Sequence, residues 1–448
     1  MIFIVLVIFA IGLYIWDYKV PALVIFFFFM TSGFNLIPEE IMTNRLFSKG
    51  MDYAILAIAG MVIVDSLCIK NYLKPDKLIW FILVFYTFLA ACIIYNKYVI
   101  SVSWKDIIRT ARYNVLWIAY LVFRNLSKER LLSLLNWLFL ITVACATLFL
   151  LQIVLDENIL NKTVSYQITL LGMKIPRFYN QPDMLQIFTF MAIYFNPYKG
   201  QTRIITTTIL IMALLGAFHR SLISAFFVAI SIGYVIRLPR VKKTVVLTSI
   251  AIIGLFFIVF WGYKFASSRT IKDIAIVTSG NAIDVYSSGV IDMEDLQKST
   301  FTFRIAHLLE RNQYLLDHPK ARLFGAGLMT EDSKLTDSMF NFDIGLIEES
   351  MGKTAQLETA DISYSILFIR YGYLGTLLVL SLYIFLMVYF YRNRDNPVGL
   401  FSFVHLIAVI VVSFFSWVLA LPITFLLPMI TYNMVKKDKL VHAYTKVE

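Results

Sequence analysis

Long uninterrupted runs of apolar residues, separated by short polar connections, dominate the chain. The runs are about 16–23 residues long, the length that a helix needs to cross a hydrocarbon core of about 30 Å. Strands of a membrane β-barrel would instead alternate apolar and polar residues in short segments. The pattern predicts an all-α, polytopic membrane helix bundle. The predicted spans cover residues 1–16, 20–37, 53–69, 78–96, 104–123, 131–154, 182–196, 204–218, 220–236, 244–264, 361–391, 398–416 and 417–434.

Three of these predictions have alternatives or special features. The span at 182–196 is short, and the last two spans could form one long bent segment, so the count is twelve or thirteen. The span at 104–123 contains Arg109, three residues after Asp106, and residues at this spacing lie on one helix face. We therefore interpret Asp106 and Arg109 as a structural ion pair that faces the interior of the bundle.

Composition supports the membrane prediction and sets the orientation. The chain is 59% hydrophobic and 15% charged, with mean hydropathy +0.74, whereas soluble domains carry about 25% charged residues. The net charge of +11 indicates topology rather than a nucleic-acid partner, because Lys and Arg are concentrated in alternate connections. By the positive-inside rule these connections are cytoplasmic. The basic connections are 17–19, 70–77, 124–130, 197–203, 237–243, 392–396 and the tail from Lys436.

This orientation places the N-terminus and two longer polar stretches outside and the C-terminus inside. We divide the chain into a bundle at 1–264 with an external loop at 155–181, a large external loop at 265–360, and a closing bundle and tail at 361–448. Within the large loop, apolar residues at helical spacing predict an amphipathic helix over 301–318 that ends before Pro319.

Arginines lie at the predicted external edges of three segments: Arg177, Arg220 and Arg304. A guanidinium is a planar fork that binds phosphate oxygens bidentately and stays charged. Converging arginines would therefore suit a lipid-linked diphosphate whose tail lies in the bilayer. The alternative is that each one snorkels or pairs with a carboxylate. Arg220 is the strongest candidate, because its connection contains no acidic neighbour.

Four other polar residues are candidates for proton transfer or for structural roles. Asp361 at the start of the eleventh span could act as a general base or could cap the helix. His219 and His307 could act as bases or substrate contacts, or could simply be packed polar residues. Asp65, inside the third span, is costly in lipid and requires a partner, a role, or access to the membrane surface.

Several classes of protein are disfavoured by what the chain lacks. The two halves show no internal repeat, which weakens a transporter interpretation. We find no P-loop, no zinc-protease motif and no acidic metal pair, so we predict no metal and no cofactor. The three cysteines lie inside apolar runs and indicate no disulfide framework.

Four stretches together resemble the bacterial O-antigen polymerase (Wzy) and O-antigen ligase superfamily of polytopic membrane glycosyltransferases. KIPRFYNQPD and AFHRSLISAFF resemble two external arginine motifs of that family. FTFRIAHLLERNQYLLDHPKARLFGAGL resembles its loop signature of an arginine, a helix, a proline and a glycine pair. ADISYSILFIRYGYLG resembles its segment that opens on a histidine and closes on two glycines. The matching residues are Arg177, Arg220, Arg304, Pro319, Gly325, Gly327, Tyr364, Gly372 and Gly375.

The resemblance implies a polymerase of polyprenyl-diphosphate-linked repeat units, at the outer face of the bacterial inner membrane, for O-antigen or capsule. It implies catalytic roles for Arg220, Arg304 and Asp361. Asp361 stands where the ligase branch has its histidine, which favours polymerase over ligase. It further implies undecaprenyl-diphosphate-linked oligosaccharide as substrate, with a flippase and a chain-length regulator as possible partners. A lipopolysaccharide ligase and a lipid-linked oligosaccharide transporter are the alternatives. The predicted substrate-binding residues are Arg177, Tyr179, His219, His307 and Tyr364.

Overall fold

The described part of the chain is almost entirely helical in a computed structural model, which confirms the all-α prediction. The tenth predicted span and residues 265–299 lie outside the described residues. The structure describes residues 2–43, 47, 49–70, 72, 75–161, 165–170, 173–178, 180–238, 300–345, 347–348, 353–357 and 362–444.

Eight α-helices form the first third of the fold. A π-helical turn at Asn96–Ile100 follows α5, and a 3-10 segment at Arg112–Ile118 separates α6 from α7. The helices are α1 (Ile2–Ile15), α2 (Lys19–Met30), α3 (Glu39–Met42), α4 (Gly50–Cys68), α5 (Lys77–Tyr95), α6 (Trp104–Ala111), α7 (Ala119–Asn125) and α8 (Lys128–Leu155).

The remaining described residues form nine helices and two short hairpins. The helices are α9 (Leu185–Tyr194), α10 (Gly200–Gly216), α11 (Arg220–Arg237), α12 (Thr300–Asp317), α13 (Pro319–Phe324), α14 (Lys334–Met339), α15 (Ser363–Arg392), α16 (Pro397–Val412) and α17 (Ile423–Tyr444). The antiparallel strand pairs are β1 (Ser165–Leu170) with β2 (Met173–Phe178), and β3 (Ile347–Glu348) with β4 (Lys353–Thr354).

Local sequence accounts for where several helices begin. Side chains of Asp76, Ser103, Ser127 and Asn396 accept backbone N–H groups at the starts of α5, α6, α8 and α16. These residue types satisfy N–H groups that have no partner inside the helix. The predicted amphipathic helix is present as α12, and Pro319 opens the next helix, where its missing N–H costs nothing.

Among the described residues, five helices are long and apolar enough to cross a membrane, and they make the fold compatible with a membrane protein. These helical stretches are Gly50–Cys68, Lys77–Ile100, Lys128–Leu155, Arg220–Arg237 and Ser363–Arg392. Large apolar side chains such as Leu67, Trp80 and Val154 lie exposed on their surfaces. Patches of this kind suit contact with lipid. The last two predicted spans form separate helices, α16 and α17, joined by a 3-10 turn at Val418–Ala420.

Asp65 has the partners that its apolar surroundings demand. Its carboxylate accepts hydrogen bonds from Tyr14 at 2.8 Å and Asn125 at 3.4 Å, and Lys19 Nζ lies 3.5 Å away. A buried carboxylate is tolerated when it is paired and hydrogen-bonded. Asp65 therefore ties α1, α2, α4 and α7 together.

The predicted ion pair between Asp106 and Arg109 is wrong. Arg109 Nη1 instead lies 2.9 Å from a carboxylate oxygen of Asp332, while Asp106 accepts hydrogen bonds from Thr330 and Ser333. Both side chains therefore face a segment more than 200 residues later in the sequence. Partners brought in by tertiary packing outcompeted the local pair, which is worth only a few tenths of a kcal/mol.

Candidate functional site

The segment after residue 300 docks on one end of the helix bundle. We call the described residues 300–345, 347–348 and 353–357 the loop unit. The Ala326 N–H donates to the Ile369 carbonyl at 2.6 Å, and the Leu328 N–H donates to Asn96 Oδ1 at 2.6 Å. The Phe324 ring stacks on Tyr95, with the ring centroids 5.0 Å apart. The loop unit thus packs on the end of α5 and the first half of α15.

Two glycines allow a close backbone approach between the loop unit and α15. Gly325 ends α13 with φ +78° and ψ 175°, and Gly372 interrupts α15 with φ +64° and ψ −168°. A Cβ on Gly325 would lie 2.4 Å from the backbone of Arg370, and one on Gly372 would lie 2.5 Å from the carbonyl oxygen of Arg322. Two stretches that resemble family motifs therefore meet here, and the Ala326 N–H satisfies a carbonyl at the break in the helix.

A buried arginine holds the loop unit together internally. The Arg311 side chain is fully buried and donates to the carbonyls of Ile344, Ala355 and Gln356. Its guanidinium also pairs with Glu310 and lies 4.3 Å from the Phe342 ring centroid. Burial lowers the pKa of Arg311 to about 10, so it stays charged at neutral pH. We infer a structural role for Arg311, because its donors are directed at the fold of the unit itself.

Three predicted site residues lie where α12 packs against α15. His307 is 1% exposed, and its Nδ1 lies 3.0 Å from Ser365 Oγ. Burial, with a smaller effect from the nearby Arg311 charge, holds the pKa of His307 well below its ordinary value, so the ring is neutral. The hydroxyl of Tyr364 accepts from Ser413 at 3.0 Å. Arg304 lies over the Phe415 ring, 5.7 Å from its centroid.

The other predicted residues gather at the turn between α10 and α11. Arg177 on β2 donates from Nε to the Ala217 carbonyl at 3.4 Å, and His219 Nδ1 lies 2.9 Å from Ser221 Oγ. Arg220 is the first residue of α11 and is exposed. Across the part of the chain that the structure describes, no carboxylate pairs with Arg220. The structure therefore brings Arg177 to the same turn as Arg220.

Packing of α9 shows that α11 and α16 run in opposite directions. The ring of Phe190 contacts Phe226 of α11 and His405 of α16, with centroids 5.5 and 6.5 Å apart. Phe195, directly after the last residue of α9, contacts Phe401, which precedes His405 in α16. A Cβ on Gly233, later in α11, would meet the Tyr194 hydroxyl. Helix α11 therefore runs parallel to α9, and α16 runs antiparallel to both.

This arrangement places Arg220 and Arg304 at the same end of the bundle. Arg220 precedes Phe226 by six residues, or about 9 Å of helix. An equal step along α16 from His405 reaches Val411, one residue before the end of that helix. The next residues include Phe415, the ring that lies under Arg304. The two groups of predicted residues are therefore level with each other along the bundle axis.

Two of the predicted site residues remain predictions. Asp361 and Tyr179 both lie outside the described residues, and helix α15 begins just afterwards at Ser363, with Ile362 in the N-cap position. Asn180 has a structural role, because it accepts from Gln152 and donates to the Leu160 carbonyl within the buried interior.

Sequence reasoning missed Arg311 and the serines that support the site. Arg311 follows Arg304 by two helical turns and so shares its face of α12, a signal that was available in the sequence. Ser365 and Ser413 carry no such signal, because small hydroxyl residues are common in apolar helices. Their contacts with His307 and Tyr364 depend on how α12, α15 and α16 pack.

Comparison with known proteins provides no further assignment. No protein-family model matches the chain, and no curated protein sequence matches it significantly. Among the residues described, no three His, Cys, Asp or Glu side chains gather in an arrangement that could hold a metal ion.

Proposed function

We propose that the chain is a polytopic protein of the bacterial cytoplasmic membrane that polymerises polyprenyl-diphosphate-linked oligosaccharide repeat units on the outer face. The apolar helices and the basic alternate connections support the membrane location and the orientation. In this orientation the loop unit and the two groups of site residues are extracytoplasmic. The motif resemblance supports the reaction class.

One observation carries the proposal: Arg220 lies exposed at the start of α11, level with Arg304. A helix N-terminus presents unpaired N–H groups and a partial positive charge. The cationic Arg220 in the first turn is repelled by this partial charge. An anion bound there would interact favourably with both the N–H groups and the guanidinium. A diphosphate headgroup is an anion of this kind, and its polyprenyl tail would lie among the apolar helices.

The proposed reaction is a direct displacement at the anomeric carbon. A hydroxyl oxygen of the acceptor repeat unit forms a bond to the anomeric carbon of the growing chain, and the bond from that carbon to the diphosphate oxygen breaks. The polyprenyl diphosphate leaves with the electron pair, and Arg177, Arg220 and Arg304 stabilise its charge. Asp361 accepts the proton of the attacking hydroxyl. Attack opposite the leaving group inverts the anomeric configuration.

A complementation experiment tests this proposal. The gene is deleted from its host and restored with Arg220→Ala, Arg220→Lys, Arg304→Ala or Asp361→Ala, and the surface glycan is separated on a gel. Loss of an electrostatic donor costs about 10²–10³ in rate and loss of a general base about 10²–10⁴, so each alanine variant should give single repeat units and no ladder. Arg220→Lys should restore only part of the ladder, because an ammonium lacks the bidentate fork.

Arg203→Ala is the matched control, because Arg203 is also an exposed arginine in the first turn of a helix, α10. By connectivity it lies at the opposite end of the bundle. This variant should leave the ladder intact. Polymer retained on the lipid carrier without transfer would indicate a ligase, and substrate trapped in the cytoplasm would indicate a transporter. A normal ladder in all the Arg220, Arg304 and Asp361 variants would refute the site.

A further inference from the structure

A cleft between α6, α15 and the start of α17 is not used by the arginine site. It is a small, partly open cleft with a cavity volume of about 60 Å³. Aromatic side chains form much of its wall, and a few polar groups interrupt them. The lining includes Thr110, Tyr113, Asn114, Trp117, Arg370 and Phe425.

The Thr110 hydroxyl indicates that the cleft is built for a polar ligand. Thr110 is 4% exposed, and its Oγ1 has no hydrogen-bond partner among the described residues. Buried hydroxyls are nearly always hydrogen-bonded, so a group that enters the cleft is the natural partner of this one. Next to it, Asn114 already donates to the Tyr371 hydroxyl at 2.9 Å, which fixes the amide at the wall.

The cleft is connected to the arginine site through the first turn of α15. The Ser363 hydroxyl donates to the Ser416 carbonyl at 2.6 Å and accepts from the Leu419 N–H at 3.1 Å. Leu419 lines the cleft, whereas Phe415, one residue before Ser416, lies under Arg304. On α15 itself, Arg370 follows the His307 partner Ser365 by five residues, or about 7.5 Å of helix.

We propose that this cleft binds a sugar ring of the acceptor repeat unit. Aromatic walls suit the apolar faces of a sugar, and the Thr110 hydroxyl, the Asn114 amide and the Arg370 guanidinium suit its hydroxyl groups. A reaction that joins two repeat units needs a second sugar site beside the diphosphate site, so the inference rests on the proposed function. The cleft supplies that second site at the same end of the bundle.

Two soluble probes test the cleft and the arginine site separately. One is the host repeat-unit oligosaccharide, released from its lipid by mild acid, and the other is farnesyl diphosphate, which carries no sugar. Binding of each is titrated against the purified full-length protein in detergent by microscale thermophoresis. Ala420→Phe fills the cleft from its wall, and Ala91→Phe places the same ring on an exposed position of α5 as the control.

We expect Ala420→Phe to abolish binding of the oligosaccharide and to leave binding of farnesyl diphosphate unchanged. Arg220→Ala should abolish binding of farnesyl diphosphate and leave binding of the oligosaccharide unchanged. Thr110→Val, which keeps the side-chain shape, should weaken binding of the oligosaccharide about tenfold, the effect of one lost hydrogen bond. Ala91→Phe should bind both probes like the wild type.

Different results would contradict the cleft proposal and the diphosphate site. Oligosaccharide binding that is absent in the wild type, or that survives both Ala420→Phe and Thr110→Val, overturns the cleft proposal whatever happens to farnesyl diphosphate. Oligosaccharide binding that follows the predicted pattern, with no farnesyl diphosphate bound by the wild type, supports the cleft and removes the diphosphate site.

Discussion

Replacing Gly325 by alanine should open the loop unit away from α15. The native φ +78° and ψ 175° of Gly325 belong to a region that is essentially restricted to glycine and costs other residues about 1–3 kcal/mol. The new methyl would also lie 2.4 Å from the backbone of Arg370. That backbone belongs to a packed helix and cannot rotate aside as a side chain could.

Relief of this collision requires the two segments to separate. Separation would break the hydrogen bond from the Ala326 N–H to the Ile369 carbonyl, and a buried carbonyl left unpaired costs about 1–3 kcal/mol. That cost is the same in the wild type, so only the backbone strain and the collision change the balance, and we expect them to destabilise the docked state by about 3 kcal/mol. At 1.4 kcal/mol per factor of ten, the open fraction should rise roughly 100-fold.

A native cysteine reports this opening directly. Cys92 is buried, and its sulfur lies 3.9 Å from the Phe324 carbonyl, next to Gly325. With Cys68 changed to serine and Cys145 to alanine, Cys92 is the single thiol, and its rate of maleimide labelling in detergent measures the open fraction. Gly325→Ala should raise this rate roughly 100-fold, in proportion to the open population.

Alanine substitutions at two other glycines separate the effect of backbone strain from that of the collision with α15. Gly200 has φ +59° with nothing within 4 Å of an added Cβ, and Gly12 has neither positive φ nor a close neighbour. Gly200→Ala introduces backbone strain without a collision, at a site outside the loop unit, so the rate of Cys92 labelling should not change. Gly12→Ala introduces neither and should also leave this rate unchanged. Labelling of Gly325→Ala at the wild-type rate would refute the role of this contact.

Three further predictions concern buried ionisable groups. Arg311→Met should lower the free energy of unfolding by about 3–5 kcal/mol, because three carbonyls and the partly buried Glu310 would lose the cation that they bind. Arg109→Met, at the half-exposed pair, should cost less than about 1 kcal/mol, and urea unfolding in detergent distinguishes the two variants. Asp65→Ala should also destabilise the folded protein strongly and lower its thermal unfolding midpoint. Asp17→Asn, at an exposed carboxylate, should unfold at the wild-type midpoint. Because the folded pKa of His307 is depressed, the unfolded chain takes up its proton first, so stability should fall as pH drops below about 6.5. His307→Gln should remove this contribution, and an unchanged pH profile in that variant would contradict the assignment.

Much of the fold follows from local patterns in the sequence. Apolar runs predict the positions of the helices, and the spacing of apolar residues before Pro319 predicts α12 with nearly its observed bounds. Both signals are contained in windows of about twenty residues, where hydrogen bonding and side-chain periodicity are decided by near neighbours. The sequence analysis missed the hairpin of β1 and β2, although the β1 sequence SYQITL alternates polar and apolar residues as a half-buried strand does.

Local sequence patterns do not predict how the residues of the candidate site are arranged relative to one another. Sequence identified Arg177, Arg220 and Arg304 as cations at helix edges, but their relative positions depend on how α9, α11 and α16 pack. The meeting of Gly325 with Gly372, and the choice of Asp332 over Asp106 by Arg109, also depend on tertiary structure.

The physical reason is the same in each case. The sequence by itself determined the helices, because helical hydrogen bonds join residues four apart and an apolar face repeats within a few turns. Only the tertiary structure decided which distant residues meet, because close packing and the satisfaction of buried polar groups are properties of the whole assembly of helices.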